Sequence, residues 1–210
     1  ELIHGFQTLT LAEGVPLVGA DHAAAVGFAG FGVSVAVLDT GIDTDHPDLL
    51  DDIVEEQCWC SGAAGPVNGC CPNGAETMNG TGAAEDGNGH GTSVSGILTS
   101  GGVVSASGVA PDTGIVAIKV LDDSGGGSFS DVDSALDWLI TNHAVNNVRV
   151  INLSLGDGAE YADSLAFPCT GSVTTNAIND LVDAGIAVVV ASGNDGYDGG
   201  VSFPACVPAA

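Results

Sequence analysis

VSVAVLDTG, residues 33–41, decides the fold. Its apolar, β-branched run stops at Asp39 and a glycine turn, the pattern of a strand buried on both faces rather than of an amphipathic one. Three further segments repeat it: IVAIKVLD (115–122), VRVINLSLG (148–156) and GIAVVVASG (185–193). Helical stretches fall between them at 90–100, 130–146 and 172–184. Val132, Leu136, Leu139 and Ile140 share one face of the second, and Val173, Ala177, Ile178 and Leu181 one face of the third. Strands alternating with helices predict an α/β fold, three layers (α/β/α) around a mostly parallel, doubly wound sheet. Residues 55–88, rich in Cys, Gly, Asn and Pro, break the rhythm and read as a surface insertion loop. No repeat or linker divides the chain, so residues 1–210 read as one domain.

The charge balance excludes whole classes of partner. Against 27 acidic residues stand only Lys119 and Arg149, a formal net charge of −25. Two cations cannot build a phosphate-neutralising patch, so neither nucleic acid nor an anionic membrane surface is an expected partner. The apolar run from Ile186 to Ala191 is far shorter than the roughly 20 residues of a membrane-spanning helix. Such acidity suits a secreted protein that must stay soluble. Cys58, Cys60, Cys70, Cys71, Cys169 and Cys206 make an even set, as disulfides in an oxidising compartment require. Zinc is the rival reading for the first four, but C-x-C-x9-C-C lacks paired C-x2-C spacing and has no His close by. Pairing across the loop is expected in preference to a strained vicinal bond, and Cys169 with Cys206 forms the third candidate bridge. The chain begins at Glu1 without a signal-peptide pattern and ends in an apolar, Pro-rich segment, so both ends read as cut.

Reactive groups of open α/β sheets collect at the carboxyl ends of the strands. That rule selects Asp39, Ser154-Leu155-Gly156 and Ser192-Gly193-Asn194, with His90 joining them at a helix N-terminus. A half-buried carboxylate at Asp39 can hold a histidine in one tautomer and stabilise the imidazolium of acyl transfer; a plain turn cap is the alternative. Glycines on both sides of His90 admit a substrate backbone. His4, His22, His46 and His143 read as exposed or structural, with His46 a turn residue of HPDL. The Asn194 amide can donate to a developing oxyanion, although on its own an Asn-Asp-Gly turn is the stronger reading.

Five segments, VAVLDTGIDTDHPDL (35–49), GNGHGTSVSGI (87–97), GVAPD (108–112), VINLSLG (150–156) and VVVASGND (188–195), together resemble the subtilisin-like serine proteases in order and context. The resemblance implies an endopeptidase that hydrolyses peptide bonds with an Asp-His-Ser triad: Asp39 the acid, His90 the general base, Asn194 the oxyanion donor. It implies Ser154, Leu155 and Gly156 with Ala191, Ser192 and Gly193 as walls of the primary specificity pocket. Gly125, Gly126 and Gly127 resemble the edge that pairs with an extended peptide. Phe129 falls where the family often lines a more distant subsite, and reads equally as a core aromatic.

The family's nucleophile motif, G-T-S-x-A-x-P, does not occur in the 210 residues. Ser93, in GTS, rides one helical turn from His90 and cannot approach the imidazole from the side opposite Asp39. The nucleophile is therefore expected outside these residues, with the chain as the N-terminal part of a catalytic domain truncated on its C-terminal side. Expected partners are a protein or peptide substrate and the rest of that domain or a pro-segment; a non-catalytic, peptide-binding remnant is the alternative. A nucleotide-binding module, suggested by GFAGFG (27–32), fails because those glycines precede the strand and no P-loop lysine exists. No cofactor is expected for catalysis. A structural calcium of the kind many subtilases hold finds no carboxylate or Asn in SGGVVSASG (100–108). Asp48 remains the one candidate metal ligand, with a solvated surface acid as the plainer reading.

Overall fold

The structure, a computed structural model, describes residues 10–62 and 69–210. His4 and the 63–68 part of the Cys-rich insertion lie outside the described residues. In chain order the elements are α1 (Leu11–Leu17), α2 (Ala20–Ala25), β1 (Ser34–Asp39), β2 (Ile53–Trp59), β3 (Thr77–Asn79), α3 (His90–Thr99), β4 (Gly114–Lys119), α4 (Phe129–Asn142), β5 (Val148–Leu153), α5 (Val173–Asp183) and β6 (Ala187–Val190). The four expected strands are β1, β4, β5 and β6, and the three expected helices are α3, α4 and α5.

One sheet of order β3-β2-β4-β1-β5-β6 organises the chain, parallel throughout except where β3 pairs antiparallel with β2. Successive side chains of β1 point to opposite faces, and each face has its own core. Ala36 and Leu38 pack with Leu136 and Leu139 of α4 and with Ile178 and Leu181 of α5. Val37, on the other face, packs with Ile42, Leu49 and Ala117, against Val94 and Leu98 of α3. The fold is thus the expected three-layer α/β/α arrangement, and burial on both faces explains why β1 and β4 carry no polar alternation. Ser128 and Ser172 cap α4 and α5, their hydroxyls accepting from Ser130 N (3.3 Å) and Thr175 N (3.1 Å).

The insertion differs from its expectation. Residues 55–59 are not loop: they belong to β2, which pairs with β4, while β3 covers its other side. Two adjacent glutamates hid this strand, since Glu56 is buried to 8% exposure. Its desolvation is offset by Gly82 N and Ala84 N, which donate to Oε2 at 2.9 and 3.3 Å. Disulfides Cys58–Cys71 and Cys60–Cys70 cross the insertion, and the sulfurs are bonded to one another rather than arranged for zinc. Cys169–Cys206 is also formed. Two short helices, α1 and α2, were not expected; Gly14 and Pro16 inside α1 mask its pattern. Among the described residues no helix is long and apolar enough to cross a membrane.

The Cys169–Cys206 bridge closes a sequence separation of 37. A Cys169→Ser/Cys206→Ser double variant is expected to lose about 3–4 kcal/mol of unfolding free energy in urea titration. An unchanged midpoint would contradict this.

Candidate active site

Asp39 ends β1 with its side chain fully buried. Its Oδ1 accepts from Thr40 N at 2.7 Å and meets His90 Nδ1 at 2.7 Å. A carboxylate only accepts, so Nδ1 carries the proton and Nε2 is the basic nitrogen. The acid is sealed at 0% exposure while the imidazole is 52% exposed, which leaves the base accessible and its partner shielded from water.

Two glycines allow the contact. A Cβ at Gly91 would lie 2.1 Å from the Gly41 carbonyl oxygen and 3.1 Å from Asp39 Cβ, so α3 can approach β1 only without a side chain there. Gly41 has φ 117°, and a Cβ on it would lie 2.3 Å from the Ala84 carbonyl oxygen. Thr40 Oγ1 then accepts from Gly91 N at 2.9 Å and ties the strand end to the helix start. Gly89, the N-cap residue, has no side chain to cap with, and half-buried Asp86 does so instead. Asp86 accepts from Asn88 N and Gly89 N (both 2.9 Å), Thr92 N (3.0 Å) and the Thr92 hydroxyl (2.6 Å). Burial pushes its pKa up, but the hydrogen bonds from Gly89 N, the Thr92 hydroxyl and the N–H groups of Asn88 and Thr92 outweigh it and hold the group at about 2.

A cavity of about 630 Å³ opens beside His90, where β1, β4 and β5 end. This is where the winding changes direction, with β2 and β4 on one side of β1 and β5 and β6 on the other. Gly125, Gly126, Gly127, Phe129, Ser154, Leu155 and Gly156 line it together with His90. The Phe129 ring also sits 5.0 Å from that of Phe203 and packs against the main core. Thr40, Asn88 and Leu121 line the cavity too; they lie inside the quoted segments but were given no role of their own.

Residues 191–194 are exposed on the loop after β6 and do not line this cavity. That loop is held by Ala191 N to Leu153 O and by Ser202 N to Ser192 O, each 3.0 Å. A Cβ at Gly193 would lie 2.5 Å from Ser202 Oγ, and one at Gly156 would lie 3.3 Å from Ser202 Cβ. The two sequence-predicted pocket walls therefore converge on buried Ser202, a residue with no signal of its own in the sequence. Ser93 donates from an exposed hydroxyl to the Gly89 carbonyl at 2.8 Å, within its own helix. His46 lies in a turn, its Nδ1 accepting from Asp48 N at 3.2 Å, and His22 is exposed.

Asp48 is not a solvated surface acid, being 4% exposed. Its Oδ1 accepts from Val103 N and Val104 N, and its Oδ2 from Ser105 N (2.9 Å) and the Ser105 hydroxyl (2.8 Å). The 100–108 loop has no carboxylate, so this one satisfies its backbone. Burial raises the Asp48 pKa, and the Ser105 hydroxyl with the N–H groups of Val104, Val103 and Ser105 brings it down to about 2. Donors on both oxygens suit an anion, whereas a calcium ion would need further oxygens facing the same point. Among the described residues no group of three or more His, Cys, Asp or Glu could hold a metal ion.

The family model described as Subtilase family matches residues 30–210. The chain belongs to the subtilase family. It is 36% identical over 204 residues to an alkaline protease of Alkalihalobacillus alcalophilus, an alignment covering 95% of this chain and 44% of that protein. Subtilisin DY of Bacillus licheniformis is 34% identical over 200 residues, with 93% and 61% covered. The solved structure of Sphericase superposes with a TM-score of 0.67 at 31% identity, over 84% of this chain and 51% of that one. The chain thus spans about half the length of the relatives it matches.

For a group whose folded pKa is depressed, stability is present above the unfolded value and lost as pH falls through the folded one. The melting-temperature gap between this subtilase chain and its Asp86→Asn variant should therefore be full near about pH 6 and shrink between about pH 4 and about pH 2. A gap independent of pH would contradict the capping role.

Proposed function

We propose that this chain provides the acid–base half of a serine endopeptidase. The observation that carries the reading is the 2.7 Å contact between fully buried Asp39 and open His90 at the mouth of a cavity. His90 Nε2 takes the proton of a serine hydroxyl as that oxygen attacks a peptide carbonyl. The serine comes from outside residues 1–210. Asp39 keeps the proton on Nδ1 and stabilises the imidazolium, and Asn194 donates to the tetrahedral oxyanion. The imidazolium then returns the proton to the departing amine, so one proton moves from hydroxyl to leaving group through a single nitrogen.

Gly125 to Gly127 pair with the extended substrate backbone, and the walls at 154–156 and 191–193 take the side chain before the scissile bond. Its partners are a protein or peptide substrate and the remainder of the catalytic domain. Three disulfides and a net charge of −25 support an extracellular setting. The donors around Asp48 do not fit a cation, and no step here runs through a metal.

In protein expressed from the complete reading frame, His90→Ala is expected to lower kcat/KM for peptide hydrolysis by at least about a thousandfold. Activity within tenfold of wild type would overturn the assignment. Peptide binding without hydrolysis by the wild type would favour the non-catalytic alternative.

A further inference from the structure

Only two cations oppose the acidic residues of this chain, and one of them is buried. Arg149 is exposed, while Lys119 is 1% exposed, a state lysine adopts almost only when paired. Lys119 ends β4 directly beside Asp39, its register partner on β1. Its Nζ donates to the Thr40 carbonyl at 2.7 Å and to Asp123 Oδ1 at 2.9 Å.

Each of these partners leads back to the acid–base pair. Thr40 N donates to Asp39 Oδ1 at 2.7 Å, and Thr40 Oγ1 accepts from Gly91 N beside His90. The Asp123 carbonyl accepts from Asn88 Nδ2 at 3.0 Å, and Asn88 Oδ1 accepts from His90 N at 3.2 Å. The contact between His90 Nδ1 and Asp39 Oδ1 closes the ring. Packing supports the same connection, because a Cβ on Gly87 would lie 2.4 Å from the Asp123 carboxylate. The loop that delivers His90 therefore rests on the residue that Lys119 holds.

We propose that Lys119 is a positioning residue: its buried ammonium ties Thr40, on the acid's side, to Asp123, on the base's side, and so sets His90 against Asp39. This rests on the endopeptidase reading for its consequence in turnover, though not for its geometry. Lys119 itself does not line the cavity, so it acts on the reacting groups through the residues it holds. Removing the tie should change the rate of the proton-transfer step and leave substrate binding alone.

The test uses protein from the complete reading frame, labelled with ¹⁵N-histidine, in wild-type, Lys119→Met, Asp123→Ala and Arg149→Met forms. The Asp123 side chain is 68% exposed, so its variant tests the ring even if Lys119→Met fails to fold. A proton held between imidazole and carboxylate resonates far downfield and exchanges slowly with water. That His90 Nδ1 proton should be present in wild type and Arg149→Met, lost in Lys119→Met, and at least tenfold faster to exchange in Asp123→Ala. In the kinetic arm kcat should fall by about tenfold or more in both ring variants with KM within twofold, as misplacement of a reacting group costs rate. Folded ring variants with the wild-type resonance, exchange rate and kcat would overturn the proposal, as would absence of the resonance in wild type. If the wild type hydrolyses nothing, the endopeptidase reading fails and the resonance alone decides the role of Lys119.

Discussion

The rest of the structure depends on one fully buried carboxylate meeting one half-open imidazole. An ionised group at the end of a buried strand loses its hydration and must be repaid by donors. Asp39 obtains two on one oxygen, from the next backbone N–H and from a ring nitrogen delivered 51 residues later. That second donor arrives only if α3 starts against the end of β1. The sheet order, the bare positions at Gly41 and Gly91 and the Asp86 cap all serve that approach.

A carboxylate is used in the same way elsewhere in this acidic chain. Asp86 gathers the N–H groups that open α3, Asp48 those of the 103–105 loop, and Glu56 those of the turn after β3. With so few cations to pair, backbone donors satisfy many of its buried acids. Lys119 is the exception, and its ammonium likewise bonds a backbone carbonyl as well as a carboxylate.

Much of this was legible from residue order. β1 and β4, buried on both faces, left apolar runs, and the β-branched, apolar character of β5 and β6 marked them too, so the four strands could be read, and with them Asp39; the helix start and flanking glycines pointed to His90. What was missed has a physical cause in each case. β2 carries Glu55, Glu56 and Gln57, and the burial of Glu56 depends on N–H groups more than twenty residues along the chain, so no local pattern marks it. Asp48 looked solvated because its donors lie more than fifty residues away. Thr40, Asn88 and Ser202 act through backbone contacts that only the folded chain creates. The placement of Asn194 relative to His90 depends on the loop after β6, and the structure leaves that amide outside the cavity containing His90.

A peptidyl chloromethyl ketone tests the acid–base pair most directly. Held as a substrate would be, it presents a carbon that His90 Nε2 can attack with loss of chloride. Protein from the complete reading frame should be inactivated with one adduct, located by peptide mass mapping on His90. Peptide hydrolysis that persists in treated protein, or inactivation with His90 unmodified, would contradict the account.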